Sequence, residues 1–96
     1  MANAITLRVL TQAGPALEDD AVSIVAPGEV GYLGILRNHA PLVTTLKPGT
    51  LTWRRPDGAT HTRNIGNGLL EVQRNHVTIL AETVSGAPEE GSRDVG

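Results

Sequence analysis

Along several stretches of the chain, apolar and polar residues alternate with a period of two. Ile5, Leu7 and Val9 alternate with Thr6, Arg8 and Leu10, the pattern of a strand with one buried face. Gly14 and Pro15 end that run, and the acidic stretch Glu18, Asp19 and Asp20 reads as a solvated turn. Three consecutive carboxylates offer too few oxygens at loop spacing for a calcium site. Val22 and Ile24 then share one face of an element over 21–26 that Pro27 and Gly28 close. Leu33 to Leu36 and Leu42 to Leu46 are each long enough for one strand and too short for a helix.

The second half repeats the same grammar. Leu51 and Trp53 alternate with Thr50, Thr52 and Arg54 up to Pro56, Asp57 and Gly58. That triplet is a hairpin signal: Pro presets the first turn position, Asp hydrogen-bonds the backbone, and Gly accepts the left-handed position. The stretch 59–65 should pair back, bringing Arg54 or Arg55 near Arg63 on an exposed strand face. Gly66, Asn67 and Gly68 turn the chain again. Leu69 to Gln73 and His76 to Ala81 read as strands joined tightly at Arg74 and Asn75, with Val77, Ile79 and Ala81 on one face of the last.

No window carries helical periodicity. Short strands at this close spacing predict an all-β protein, an antiparallel β-sandwich or flattened barrel of about ten short strands. One domain accounts for residues 1–84, and the polar stretch 85–96, rich in Gly, Glu and Ser, reads as a disordered tail. The chain has 96 residues with eleven Gly and six Pro, no Phe, one Trp and one Tyr, so Val, Leu, Ile and Ala must supply the core.

Charge and chemistry narrow the function classes. A net charge of -2, with Lys47 as the only lysine, runs against a nucleic-acid binder that must neutralise phosphates. A small barrel stacking bases on Trp53 and Tyr32 would need more than two rings. No apolar run approaches the about 20 residues of a membrane-spanning helix, and the start of the chain lacks the pattern of a signal peptide, which together predict a soluble domain. With no Cys there is no disulfide, and a reducing compartment is expected. Ser23, Ser85 and Ser92 do not sit on a strand-to-helix turn that would expose a nucleophile. His39, His61 and His76 match no metal-ligand spacing. The Gly66 to Gly68 turn leads into a strand, so the helix terminus that would cradle phosphate is missing. The residues point to a non-catalytic domain without cofactor or metal, and on their own leave open which partner it serves.

The stretch from Gly28 to Gly49 supplies the partner. It reads Gly-Glu-Val-Gly-Tyr-Leu-Gly-Ile-Leu-Arg-Asn-His-Ala-Pro-Leu, followed by Leu-Lys-Pro-Gly at 46–49. Its order of Gly-Ile, His-Ala-Pro-Leu and Leu-Lys-Pro-Gly resembles the N-terminal domain of the F-type ATP synthase epsilon subunit. The resemblance extends over about residues 4 to 84 and includes Ile65 to Gln73 and Val77 to Thr83. It implies a ten-stranded β-sandwich on the central rotor, a non-catalytic part coupling the membrane c-ring to the gamma subunit at the cytoplasmic face of the bacterial inner membrane. On that footing gamma is expected at His39, Ala40, Pro41 and Leu42, and the c-ring loops at Glu29, Val30, Gly31 and Tyr32. Arg37 and Asn38 stand where the family commonly has Pro-Gly, and Asn keeps access to left-handed backbone. Tyr32 stands where the family often has Glu. The family's two C-terminal helices have no counterpart in the polar tail, so neither their inhibition nor their ATP binding is expected, and the isolated domain is expected to be a monomer. The competing reading is an unrelated β-sandwich interaction module.

Overall fold

The computed structural model describes residues 4–86, and every regular element in them is a strand. In order they are β1 (Ile5–Thr11), β2 (Gly14–Ala21), β3 (Ser23–Gly28), β4 (Gly31–Leu36), β5 (Leu42–Leu46), β6 (Gly49–Arg54), β7 (Thr60–Ile65), β8 (Gly68–Gln73), β9 (His76–Ala81) and β10 (Val84–Ser85). The ten-strand, helix-free reading of the sequence holds. The strands form one sheet in the order β10-β7-β6-β3-β5-β8-β9-β1-β2, with β4 attached to β3 beside that path. Curled on itself, this sheet is a nearly closed barrel. All pairings are antiparallel except β1 with β9, which run parallel with Leu7 beside Val77 and Val9 beside Ile79.

Period-two alternation decides what goes inside. Ile5, Leu7 and Val9 of β1, Leu70 and Val72 of β8, and Val77, Ile79 and Ala81 of β9 are all buried, and their neighbours face outward. Ala21, Ile24, Ala26, Ile35, Leu46, Leu51, Trp53 and Ile65 complete the core. Among the described residues no polar or charged side chain is buried.

Turn chemistry holds the ends. At the β6–β7 hairpin Gly58 has φ 93°, the Asp57 Oδ1 accepts the Ala59 N–H at 2.9 Å, and the Arg55 N–H donates to the Ala59 carbonyl at 2.8 Å. At the β8–β9 hairpin Arg74 and Asn75 both take positive φ, 52° and 62°, the turn whose twist matches the flanking strands.

Four local expectations change. Glu18, Asp19 and Asp20 are not a turn but the C-terminal part of β2, paired with Arg8, Leu7 and Thr6 of β1. The turn is only Gln12 and Ala13, because Gly14, at φ 120°, already starts the return strand. Pro27 and Gly28 do not close an element; they are the buried last residues of β3. Pro27 has no N–H to give to the ladder, and its carbonyl accepts the Lys47 N–H at 3.0 Å. The arginines do not gather either. Arg63 lies across from Leu51 with its guanidinium 5.8 Å from the Trp53 ring centroid, and Arg55 turns away to Asp19. Finally, β10 carries pairing as far as Ser85, opposite Asn64; the rest of the expected tail beyond Gly86 lies outside the described residues.

Two stability predictions follow from this packing. Ile79, fully buried, should cost about 2 to 4 kcal/mol when changed to Ala, whereas Leu33, only half-buried against the core, should cost less; denaturant midpoints at unchanged m-value measure both. The backbone hydrogen bond from Ala59, with Arg55 assisting, holds the Asp57 carboxyl below its ordinary value. A carboxyl depressed on folding stabilises above its unfolded pKa and loses that contribution as pH falls through the folded one. Asp57→Asn should therefore flatten the acid limb of a stability-against-pH curve and leave its neutral limb parallel to the parent's.

Candidate partner-binding surface

The two stretches singled out in the sequence lie at opposite ends of β4. The β3–β4 hairpin turns through Glu29 and Val30 before Gly31, and the loop 37–41 follows Leu36. Six residues of strand set the two about 17 Å apart.

At the hairpin end the four expected residues divide. Glu29 folds back onto β5: its N–H donates to the Thr45 carbonyl at 3.3 Å, and its carboxylate accepts the Thr45 hydroxyl. Tyr32 folds onto β6, its hydroxyl accepting the Thr50 N–H at 3.0 Å. The ring fits because residue 49 is Gly; a Cβ there would stand 2.7 Å from the Tyr32 hydroxyl oxygen and 2.7 Å from Pro27 Cβ. Tyr32 is nonetheless 57% exposed, so its outer face remains available. Val30 and Gly31 are what project, Val30 being fully exposed. Gly31 at φ 144° takes a backbone that side chains resist.

At the other end, Asn38 adopts φ 65°, as expected of Asn in a position often held by Gly. The His39 N–H closes that turn on the Leu36 carbonyl at 3.2 Å. Asn38 also ties the loop to the β8–β9 turn: its N–H donates to Asn75 Oδ1 at 2.7 Å, and Asn75 Nδ2 returns a bond to Asn38 Oδ1 at 3.3 Å. His39 Nδ1 lies 2.7 Å from the Ala40 carbonyl, which only a protonated Nδ1 can satisfy. Ala40 and Pro41 are exposed, and Leu42 is half-buried, packed on the core and paired with Val72.

Reasoning from the sequence missed the next residues. Val43 is 67% exposed, opposite Glu71, and forms a shallow groove with Pro41, Leu42 and Gln73. Further along the same outward face, Leu10, Leu80 and Leu69 are consecutive cross-strand neighbours on β1, β9 and β8, ending at Thr45 on β5. They floor a second depression bounded by Gln12, Asn67 and Glu82. The signal was present: each of these apolar residues occupies a position where the alternation calls for a polar one. Contiguous exposed apolar residues of this kind mark contact surfaces. Such an arrangement, a firm apolar face plus a separate projecting tip, suits two protein contacts.

Comparison with known proteins bears on which contacts. Residues 4–87 match the family described as ATP synthase, Delta/Epsilon chain, beta-sandwich domain. An ATP synthase epsilon chain of Moorella thermoacetica is 39% identical over 85 residues, covering 88% of this chain and 63% of the relative. That of Acidithiobacillus ferridurans is 43% identical over 90 residues, covering 93% and 62%. The chain thus spans less than two thirds of these relatives' length. In the Euglena gracilis mitochondrial ATP synthase a chain superposes with TM-score 0.80 at 24% identity, covering 85% of this chain and 52% of that one, a likeness that speaks to the fold. With the family match running from the first described strand through the last, this chain belongs to the β-sandwich domain family of ATP synthase delta and epsilon chains.

Proposed function

We propose that the domain is a non-catalytic rotor part of an F-type ATP synthase, held at the membrane only through the complex, that transmits rotation between a c-ring and a gamma subunit and so couples ion translocation to ATP synthesis. The observation that carries this reading is the pairing of an outward apolar face on β5, β8 and β9 with a separate projecting hairpin tip between β3 and β4, together with family membership. A rotor coupling needs one lasting contact and one to a second body. The face formed by Pro41, Leu42 and Val43, continued by Leu69 and Leu80, supplies apolar area of the kind found in interface cores. Gamma docks there, with His39 and Ala40 at its margin. Val30 and Gly31, flanked by Glu29 and the exposed side of Tyr32, reach the polar loops of the c-ring.

Rigidity favours the same division of labour. The gamma face stands on β8 and β5, whose inward residues Leu70, Val72 and Leu46 are core, and torque applied to such a surface meets a close-packed interior. The tip has no core beneath it, but Glu29 and Tyr32 brace it against β5 and β6.

Leu42→Asp would put a charge against the core, so Val43 is the cleaner probe. Val43→Asp should fold normally and weaken gamma binding by about tenfold or more, the size expected for a central apolar contact. Val30→Asp should leave gamma binding intact and lower ATP-driven proton pumping in reconstituted enzyme. Normal gamma binding by Val43→Asp, or loss of gamma binding with normal pumping in Val30→Asp, would overturn the assignment.

A further inference from the structure

Strand β2 ends the sheet path: among the described residues it pairs with β1 alone. That ladder is imperfect. The register shifts between Val9 and Leu10, where Val9 faces Leu17 but Leu10 faces Pro15, so Ala16 is left over and Pro15 has no N–H to give. The rest of the strand is Glu18, Asp19 and Asp20, residue types that favour strands poorly. Its inward contribution is modest: Ala21 is buried and Leu17 only half-buried. Glu18 meets Arg8 at 3.6 Å, but both side chains are about half exposed or more, and such pairs contribute little.

Against these weak attachments stands one concentrated one. The Asp19 side chain is only 19% exposed. Its Oδ2 accepts the Trp53 Nε1–H at 2.8 Å, its Oδ1 accepts the Arg55 guanidinium, and Oδ1 also accepts the Asp20 N–H at 2.9 Å. Trp53 is buried, with His61 stacked on it at 5.6 Å between ring centroids. Arg55 is itself steadied by Asp57, Nε to Oδ2 at 3.6 Å, and so by the β6–β7 turn. One carboxylate therefore joins the last strand of the path to the third from its other end.

We infer that β2 is a strap that opens from the barrel as a unit without global unfolding, and that the Asp19 carboxylate, clasped by Trp53 and Arg55, sets how often it does so. Opening releases the outer edge of β1 while β1 keeps its parallel ladder to β9 and its place in the core. The physical basis is that local opening costs only the contacts of the segment that opens: here these are the ladder to β1, the small buried Ala21, and side-chain bonds concentrated on Asp19. The inference is independent of the rotor reading.

The test is native-state amide exchange on the full chain, with Trp53, the only tryptophan, as a fluorescent reporter. In the parent, amides of 16–20 should exchange faster than those of 77–81. Asp19→Asn, which keeps the shape and removes the charge, should accelerate 16–20 by about tenfold or more, leave 69–72 and 77–81 unchanged, and red-shift the Trp53 emission. Arg55→Gln should do the same with β2 itself unaltered, which guards against a folding defect from changing the strand. The inference fails if 16–20 exchange no faster than 77–81 in the parent. It fails equally if the variants leave 16–20 unchanged, or accelerate every strand together.

Discussion

The architecture turns on the end of β3. This strand serves two partners on one side: Ser23, Ile24 and Val25 pair with β6, and Gly28 pairs with Leu46 of β5. Its other side pairs with β4 throughout. The sheet can pass from β6 to β5 only if the backbone between is buried and tightly approached. Pro27 and Gly28 meet that demand. A Cβ at Gly28 would lie 2.5 Å from Leu33 Cδ2 and 2.7 Å from the Gly31 carbonyl oxygen, closer than real contacts allow. From this corner follow the curl of the sheet, the enclosure of Ile24, Ala26, Leu46 and Leu51, and the projection of the β3–β4 hairpin.

Among the described residues the interior is apolar and holds no polar side chain. The surface features that suit a partner lie where alternation is broken. Val43, Leu69 and Leu80 face outward on strands whose inward residues are core, because successive side chains of a strand point to opposite faces. Apolar residues that lie contiguously on the outward side, as Leu69 and Leu80 do, mark a contact surface. The same reasoning separates the hairpin, where Glu29 and Tyr32 are drawn back by hydrogen bonds and Val30 is left at the end.

Much of this was legible in the chain. Period-two alternation located β1, β6, β8 and β9, because each has one face in the core; a short apolar run located β5, and Pro56, Asp57 and Gly58 announced the hairpin that returns as β7 through fixed backbone needs. Asn38 was readable as a left-handed residue for the same reason. Strand β2 was not readable. Its acidic residues are poor strand formers, and what makes them a strand is β1 on one side and, for Asp19, donors 34 and 36 residues away. The parallel β1–β9 pairing and the Asn38–Asn75 exchange are likewise contacts between distant segments that no local pattern encodes. Pro27 was misread because proline ordinarily interrupts a ladder, and only the corner explains why it does not here.

The central claim is that the outward face of β5 and β8, rather than the hairpin tip, holds the lasting partner. Amide exchange of the domain alone and bound to a gamma subunit tests it with no residue altered. The account predicts slowed exchange in 41–45 and 68–72 on binding, with 29–32 unchanged until the c-ring is present. Slowed exchange confined to 29–32 in the complex with gamma, while 41–45 and 68–72 stay as they were, would contradict it.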